Sequence, residues 1–275
     1  MEPLLRVINL SKHFDTLPAI QQVIEQAGED VDRFAETLRR RRIPHLSFSQ
    51  ITTVEFCQYR YYLEYVALVD LDPVPLYFTK GKLLHQIIAS AYRKAPSGPE
   101  EYYALIDSQL EGDHRRHLRN AVQVHLENRW HPEAQVISVE KPFVMSIDPH
   151  LPPCVGVVDL VLQRAGTYIL IDHKTGHDFF PEDTLQSAIY IEYMRHQFGD
   201  VACEFYYDHY RWVNNLGRIR KPAFQRTYVS QPASFWQTAL ERIRSGYRLI
   251  EQIKNGKKAA RYGECFRCPY RGTCN

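Results

Sequence analysis

The stretch VGVVDLVLQRAGTYILIDHKTG, residues 155–176, sets two aspartates and a lysine into what otherwise reads as two buried strands. Charge in an apolar strand is costly unless something pairs with it. Ala165-Gly166 makes a two-residue hairpin loop, with Gly easing the positive φ that such turns require. That loop pairs Arg164 with Thr167 and Gln163 with Tyr168, and the same register brings Asp159 opposite Asp172. Directly opposed residues hold their Cβ atoms about 4.5–5.5 Å apart, where like charges repel. The two-residue period of a strand puts Lys174 on the face of Asp172. Two facing carboxylates beside an ammonium form a cation site, and a hard divalent ion such as Mg²⁺ suits their oxygens. The alternative is a plain Asp–Lys ion pair, with Asp159 satisfied by backbone amides. A bulge in either strand would shift the register.

The surrounding chain is ordinary for a folded protein: 275 residues, 44% hydrophobic and 24% charged. Its start, MEPLLRVINL, has neither a basic n-region nor a long apolar run, so no signal peptide is expected. No stretch has the apolar length of a membrane span. A cytoplasmic location is therefore expected, where six cysteines serve metals, chemistry or packing rather than disulfides. Net charge is only +2, yet residues 211–275 carry 14 Lys and Arg against three acids, leaving the first 210 residues acidic. The asymmetry suggests a polyanion partner at the C-terminal end and acids gathered elsewhere; a solvated basic helix face is the alternative.

Apolar residues from Ile20 to Leu38 recur at steps of four and three, which predicts an amphipathic helix over residues 19–42, weakened by Gly28 and ended by Pro44. Ser47 or Ser49 caps a second helix reaching about Val66. Pro73 and Pro75 break the chain before the helix of FTKGKLLHQIIASAYRKA, and residues 100–130 read as helix in two pieces. The segments AQVISVEKPFVMSI and VACEFYYDHYRWV read as strands, with a helix in PEDTLQSAIYIEYMRHQFG between hairpin and last strand. A long basic helix and a cysteine-rich tail follow. The outline is a mixed α/β domain with helical additions.

GVVDLV followed by ILIDHKTG resembles the core of the PD-(D/E)XK nuclease superfamily, especially its RecB-like branch. The resemblance implies a restriction-endonuclease-like mixed sheet flanked by helices. It implies that Asp159, Asp172 and the His173 carbonyl hold Mg²⁺ or Mn²⁺, and that Lys174 orients or helps deprotonate the attacking water. A nearby cation should favour the neutral form of Lys174. GKLLHQII supplies the branch's upstream histidine, His85, as a further metal ligand; on its own it reads as a core-edge histidine. LQSAIYIEY supplies the branch's Gln-x-x-x-Tyr motif as Gln186 and Tyr190, which share one helix face. Glu140, on the preceding strand, is a further acid near the metal or else a surface glutamate.

The tail CFRCPYRGTC spaces Cys265, Cys268 and Cys274 as C-x2-C-x5-C, one thiolate short of a tetrahedral centre, and Cys57 is the natural fourth. A subset of RecB-like nucleases, including AddB-type subunits and the CRISPR adaptation exonucleases, has this arrangement. It implies a 4Fe-4S cluster that staples the chain's ends into a helical lid over the active site; four cysteines also suit zinc. Cys154 and Cys203, at strand starts, are expected to pack. The resemblance covers residues 46–275 and leaves 1–45 as a helical appendage.

The function expected is a metal-dependent DNA exonuclease acting on single-stranded ends, in CRISPR spacer acquisition with an integrase or helicase partner. Arg60, Tyr59, Tyr61 and Tyr62, with Arg211, Lys221 and Lys254, are the residues available to phosphates and bases. A general RecB-like repair or phage nuclease, or a non-catalytic DNA-binding scaffold, are the alternatives. No P-loop motif is present, so a helicase would be a separate chain.

Overall fold

A computed structural model describes residues 16–72, 74–130, 133–179, 182–262, 265 and 268–274. The expected absence of a signal peptide falls on residues 1–15, and one expected chain break falls on Pro73; both lie outside the described residues. The first helix of the sequence reading is two helices, α1 (Thr16–Ala27) and α2 (Val31–Arg40). Gly28 takes a φ of 59°, the left-handed backbone that ends a helix. Asp30 then caps α2, accepting a 2.9 Å hydrogen bond from Arg33 N.

Helix α3 (Phe48–Phe56), capped by Ser47, also stops short of the expected Val66. Cys57 is extended, at φ −161° and ψ 112°. The chain resumes as a single turn, Gln58–Tyr61, and a π-helical turn, Tyr62–Val66. Helices α4 (Leu76–Arg93), α5 (Tyr103–Gln109) and α6 (Gly112–Glu127) follow. Strands β1 (Gln135–Met145), β2 (Cys154–Arg164) and β3 (Thr167–Gly176) lead into helix α7 (Thr184–Phe198). Strands β4 (Cys203–Arg211) and β5 (Phe224–Tyr228) and the long α8 (Phe235–Lys254) complete the order. The sheet runs β1-β2-β3-β4-β5. Only β3 and β4 are parallel, and α7 is the crossover such a pair needs. The expected mixed sheet flanked by helices is the fold observed.

Ala165 and Gly166 both have positive φ, 48° and 83°, as a primed two-residue turn demands. The strands beside it pair as the turn dictates, from Arg164↔Thr167 to Leu160↔Ile171. There the ladder ends. β2 continues beside β1 back to Cys154, and β3 continues beside β4 to Gly176. The sheet thus parts into two wings at the next pair in register, Asp159 and Asp172. The His173 amide, freed from the ladder, donates to Asp159 Oδ2 at 2.8 Å. Across from Asp159, Glu140 takes a φ of 48° within β1, between the pairs Val139↔Leu160 and Lys141↔Val158. A left-handed non-glycine in a strand re-aims its side chain at a local cost of order 1–3 kcal/mol.

One core lies between the sheet and helices α3, α7 and α8; α7 is buried on nearly every side, as a helix between two layers must be. A second core lies under α4, α5 and α6. Helices α1 and α2 bury Ile20, Val23, Phe34 and Leu38 against Val155 and its neighbours. At Gly156 a Cβ would sit 2.6 Å from Phe143 Cε1 and 3.1 Å from Tyr190 Cε1. Gly156→Ala is therefore expected to destabilise the protein by about 1–3 kcal/mol through overpacking. Urea unfolding measures it, and an unchanged midpoint would show that Phe143 can yield.

Candidate active site

The parting of β2 from β3 exposes a set of polar side chains delivered by five elements. From β3, Asp172 and Lys174 form an ion pair, Nζ to Oδ2 at 2.8 Å, although the angles give Oδ2 no directed hydrogen bond. From α7, Gln186 bridges the two: Oε1 accepts from Lys174 Nζ at 2.7 Å, and Nε2 donates to Asp172 Oδ1 at 2.6 Å. The amide orientation follows from chemistry, because lysine only donates and an ionised carboxylate only accepts. Gln186 Nε2 also donates to the Tyr190 hydroxyl at 3.0 Å, so the expected shared helix face is used in full. Burial works against the Lys174 ammonium, but the Asp172 carboxylate outweighs it and raises the lysine above its ordinary pKa. The neutral lysine expected beside a cation therefore has to be reached against the Asp172 charge, which favours the ammonium.

The second half of the site centres on His85 from α4. Its Nδ1 lies 3.4 Å from both Glu140 Oε1 and Asp159 Oδ2, and its Nε2 is 2.9 Å from the His173 carbonyl. A carbonyl can only accept, so Nε2 carries hydrogen; two carboxylates ask the same of Nδ1. Burial opposes the charged ring, and Asp159 and Glu140 outweigh it, lifting the His85 pKa to about 9. Asp159 is shifted upward too: burial holds its carboxyl well above the usual range, the His85 charge opposes this, and the Asp172 and Glu140 charges add to it. Among the described residues, His85, Glu140 and Asp159 form a group whose ligand atoms all lie within 4.8 Å of one another. Asp172 stands outside that group, engaged by Lys174 and Gln186, and Glu140 stands in it. Two carboxylates, one imidazole and a nearby carbonyl are donors that suit Mg²⁺ or Mn²⁺.

If His85 gives a nitrogen to a cation, binding must release its proton. Below a pKa of about 9 the proton competes, so apparent Mn²⁺ affinity should rise up to about tenfold per pH unit and level off above it. A calorimetric titration at about pH 6.5, 7.5 and 8.5 checks this. A slope near zero in the wild type would remove His85 from the ligand set.

The remaining predicted residues divide. The His173 ring is buried, with no hydrogen-bond partner on either nitrogen; it packs edge-on to both His85 and His125, and its backbone carbonyl and amide make its polar contacts with the site. Cys154 is buried and Cys203 half-buried at strand starts, as expected. Tyr61 is core, and Arg60 pairs with Glu64 at 3.3 Å. Arg211 is spent on the Pro222 and Lys221 carbonyls, and Lys221 on Asp178.

Other neighbours were not visible in the sequence. His209, the register partner of Lys174, lies 3.6 Å from Glu182. Asp183 caps α7 and binds Arg242 at 2.6 Å, while the same guanidinium holds Glu55 of α3. Arg242 thereby fixes the end of α7 that carries Gln186. No local pattern links residues 187 positions apart.

Cys57 is buried at the break after α3, Cys268 and Cys274 are half-buried, and Cys265 is exposed. The tail returns to Cys57: Tyr59 N donates to Ala260 O at 3.0 Å, and Arg261 lies 4.4 Å over the Tyr59 ring while donating to Cys274 O at 3.0 Å. Burial raises the Cys274 thiol, Cys268 adds to the shift, Arg261 opposes it, and Cys57 and Cys265 add smaller contributions.

A family model described as the PD-(D/E)XK nuclease superfamily matches residues 45–275. Among curated proteins, none matches at a significant level. Among solved structures, "Putative exonuclease" from Eubacterium rectale is similar at a TM-score of 0.58 and 11% identity, over 87% of this chain and 90% of that one. At that identity the likeness speaks for the fold alone. The protein SSO0001 covers 84% of this chain and 86% of its own at 16% identity, and its TM-score of 0.43 carries no argument. No helix among the described residues is long and apolar enough to cross a membrane.

Proposed function

The chain belongs to the PD-(D/E)XK nuclease superfamily, and from that premise we propose that it is a metal-dependent deoxyribonuclease of the RecB-like branch. Its substrate is the end of single-stranded DNA, and residues 46–275 are the nuclease domain. The observation that carries this reading is the bond chain Lys174–Gln186–Asp172, with Tyr190 behind it, beside the His85–Glu140–Asp159 group. Asp159, Asp172, His85 and the His173 carbonyl would hold a divalent ion, with Glu140 as a further carboxylate. Such an ion supplies a nucleophilic water and offsets charge on the phosphate.

The chain's own groups do the positioning. Gln186 fixes Lys174 Nζ at one point, where the ammonium donates to a phosphate oxygen and balances its developing charge. Lys174 gives up its proton more readily once the Asp172 charge is drawn elsewhere, which is how it could pass from donor to acceptor. Tyr190 keeps the Gln186 amide from rotating.

The four cysteines bind a 4Fe-4S cluster in the same proposal. A single zinc with bonds of about 2.3 Å needs sulfurs about 3.8 Å apart. No three cysteines among the described residues bring their sulfurs within 4.8 Å of one another. A cubic cluster, which takes each thiolate on a separate iron, accepts a wider set. The resemblance to CRISPR adaptation exonucleases favours a role in spacer acquisition with an integrase or helicase partner. The test is Mn²⁺-dependent cleavage of end-labelled single-stranded DNA by anaerobically purified protein, with Lys174→Ala alongside. Loss of cleavage in the variant is expected; no wild-type cleavage of single or double strands would end the nuclease reading.

A further inference from the structure

Residues 16–44 lie outside the part of the chain that matches the family, and the sequence gives them no task. Among them, Asp32 of α2 through Pro44 wall a cavity of about 1060 Å³ that Gln186 and Tyr190 of the candidate active site also line. Phe48, also in that lining, has its ring 6.0 Å from Lys174 Nζ. A second cavity of about 460 Å³ shares Ser49, Glu64, Tyr65, Leu71 and Tyr270 with the first and extends it to Phe56 and Phe78. Phe78 packs against Tyr77 with ring centroids 4.4 Å apart and planes tilted by 38°, and both rings are among the most exposed large apolar groups of the described residues, at 43% and 52%. The two spaces thus form one track, from an exposed aromatic pair at the surface to the pair that Lys174 of β3 makes with Gln186 of α7.

We propose that this track carries one DNA strand, and that α2 with the segment after it, through Pro44, is the wall that keeps duplex and unbroken strands out. Three observations favour a single strand as the occupant. Exposed aromatic rings at the mouth offer faces to unpaired bases, which a duplex does not present. Among the described residues, each lining acid already has its cation: Asp32 with Lys82 at 2.8 Å, Asp70 with Arg39 at 2.6 Å, Glu64 with Arg60 at 3.3 Å, and Glu36 with Arg40. The lining cations Arg42 and Lys254 are exposed and make no ion pair among the described residues, which leaves them for phosphates.

The wall is also tied down on both sides of the mouth. Arg39 of α2 reaches Asp70 and, at 3.2 Å, the Leu68 carbonyl, while Asp32 of the same helix reaches Lys82 on α4. A strap fastened at both sides admits a strand by its end and not from the flank. The cleavage arm of this proposal rests on the nuclease reading; its binding arm does not.

The test uses the full-length chain purified without oxygen. Binding of a fluorescent oligo(dT) strand and of a blunt duplex is measured by anisotropy with Ca²⁺ in place of Mn²⁺. Wild type is expected to bind the strand at least tenfold more tightly than the duplex. Ala35→Trp, which fills the track from the exposed wall side, and the double change Tyr77→Ala, Phe78→Ala are each expected to weaken strand binding about tenfold, the loss one stacked base carries. Melting curves confirm that both variants fold. In Mn²⁺, wild type should spare circular single strands, whereas Arg39→Glu, which sets like charge against Asp70 and Glu36, should cut them. Equal binding of strand and duplex, or unchanged strand binding by both folded variants, overturns the proposal whatever cleavage does. Circles cut by wild type as fast as linear strands overturn the strap. A protein that binds the strand as expected and cuts nothing leaves the track standing and removes the nuclease.

Discussion

Asp172→Asn is expected to lower DNA cleavage roughly a thousandfold, the several kcal/mol that a metal-assisted site contributes, while the melting temperature stays within a few degrees. The carboxylate is buried, yet its removal should be tolerated. An Asn side chain still offers Gln186 an oxygen, and it takes one charge from a crowd containing Asp159 and Glu140. Lys174 would lose its partner, but a lysine held charged by one carboxylate against burial sheds its proton when that carboxylate is neutralised. A purely structural ion pair makes the opposite forecast. Breaking it would cost about 3–5 kcal/mol of stability with no special effect on chemistry. Cleavage and thermal unfolding of one variant therefore separate the two readings. A rate within tenfold of wild type, with a large loss of stability, would return Asp172 and Lys174 to the role of a buried pair.

The hairpin was legible because turn chemistry fixes register: Ala165-Gly166 permits one pairing, and the strands obey it until the two aspartates meet. What the sequence could not give is what happens there, since a ladder's end depends on the neighbours of both strands. Glu140 shows the limit most plainly. Its entry into the site turns on a left-handed φ at a non-glycine, which no local pattern announces. His85 was visible only by resemblance, because beside Leu84, Ile87 and Ile88 it reads as a core-edge residue until α4 crosses the parted strands. Helix ends failed for another reason. Apolar periodicity continues across Gly28 and across Cys57, so pattern alone runs through both breaks. The break at Cys57 matters most, since an extended residue between two helical pieces is what turns that thiol toward the tail.

Cys268→Ala is expected to remove the visible absorption and the iron from anaerobically purified protein and to lower its melting temperature by about 10 °C, several kcal/mol for a chain of this size. The reasoning starts from how little else holds the tail. Beyond Lys254, Tyr270 is the one residue among those described that joins the buried apolar set. The ties beyond it include the Arg261 guanidinium over Tyr59 and single hydrogen bonds such as Tyr270 OH to Val69 O at 3.2 Å and Ala260 N to Gln58 Oε1 at 3.1 Å. Contacts of that kind contribute about 1 kcal/mol each and cannot offset the entropy of ordering some twenty residues. A metal centre can, because its binding free energy is also the folding free energy of the segment that ligates it. Losing the centre should free the tail to trypsin after Lys257 and Lys258 and uncover the buried Cys57 and Tyr61. The sheet, its core independent of the tail, should stay folded. Cys154→Ala is the control, since that thiol is buried in the sheet away from the other four and should leave colour intact. A colourless, stable wild type that contains zinc would sink the cluster and leave the nuclease site untouched, because none of the residues that position Lys174 comes from the tail.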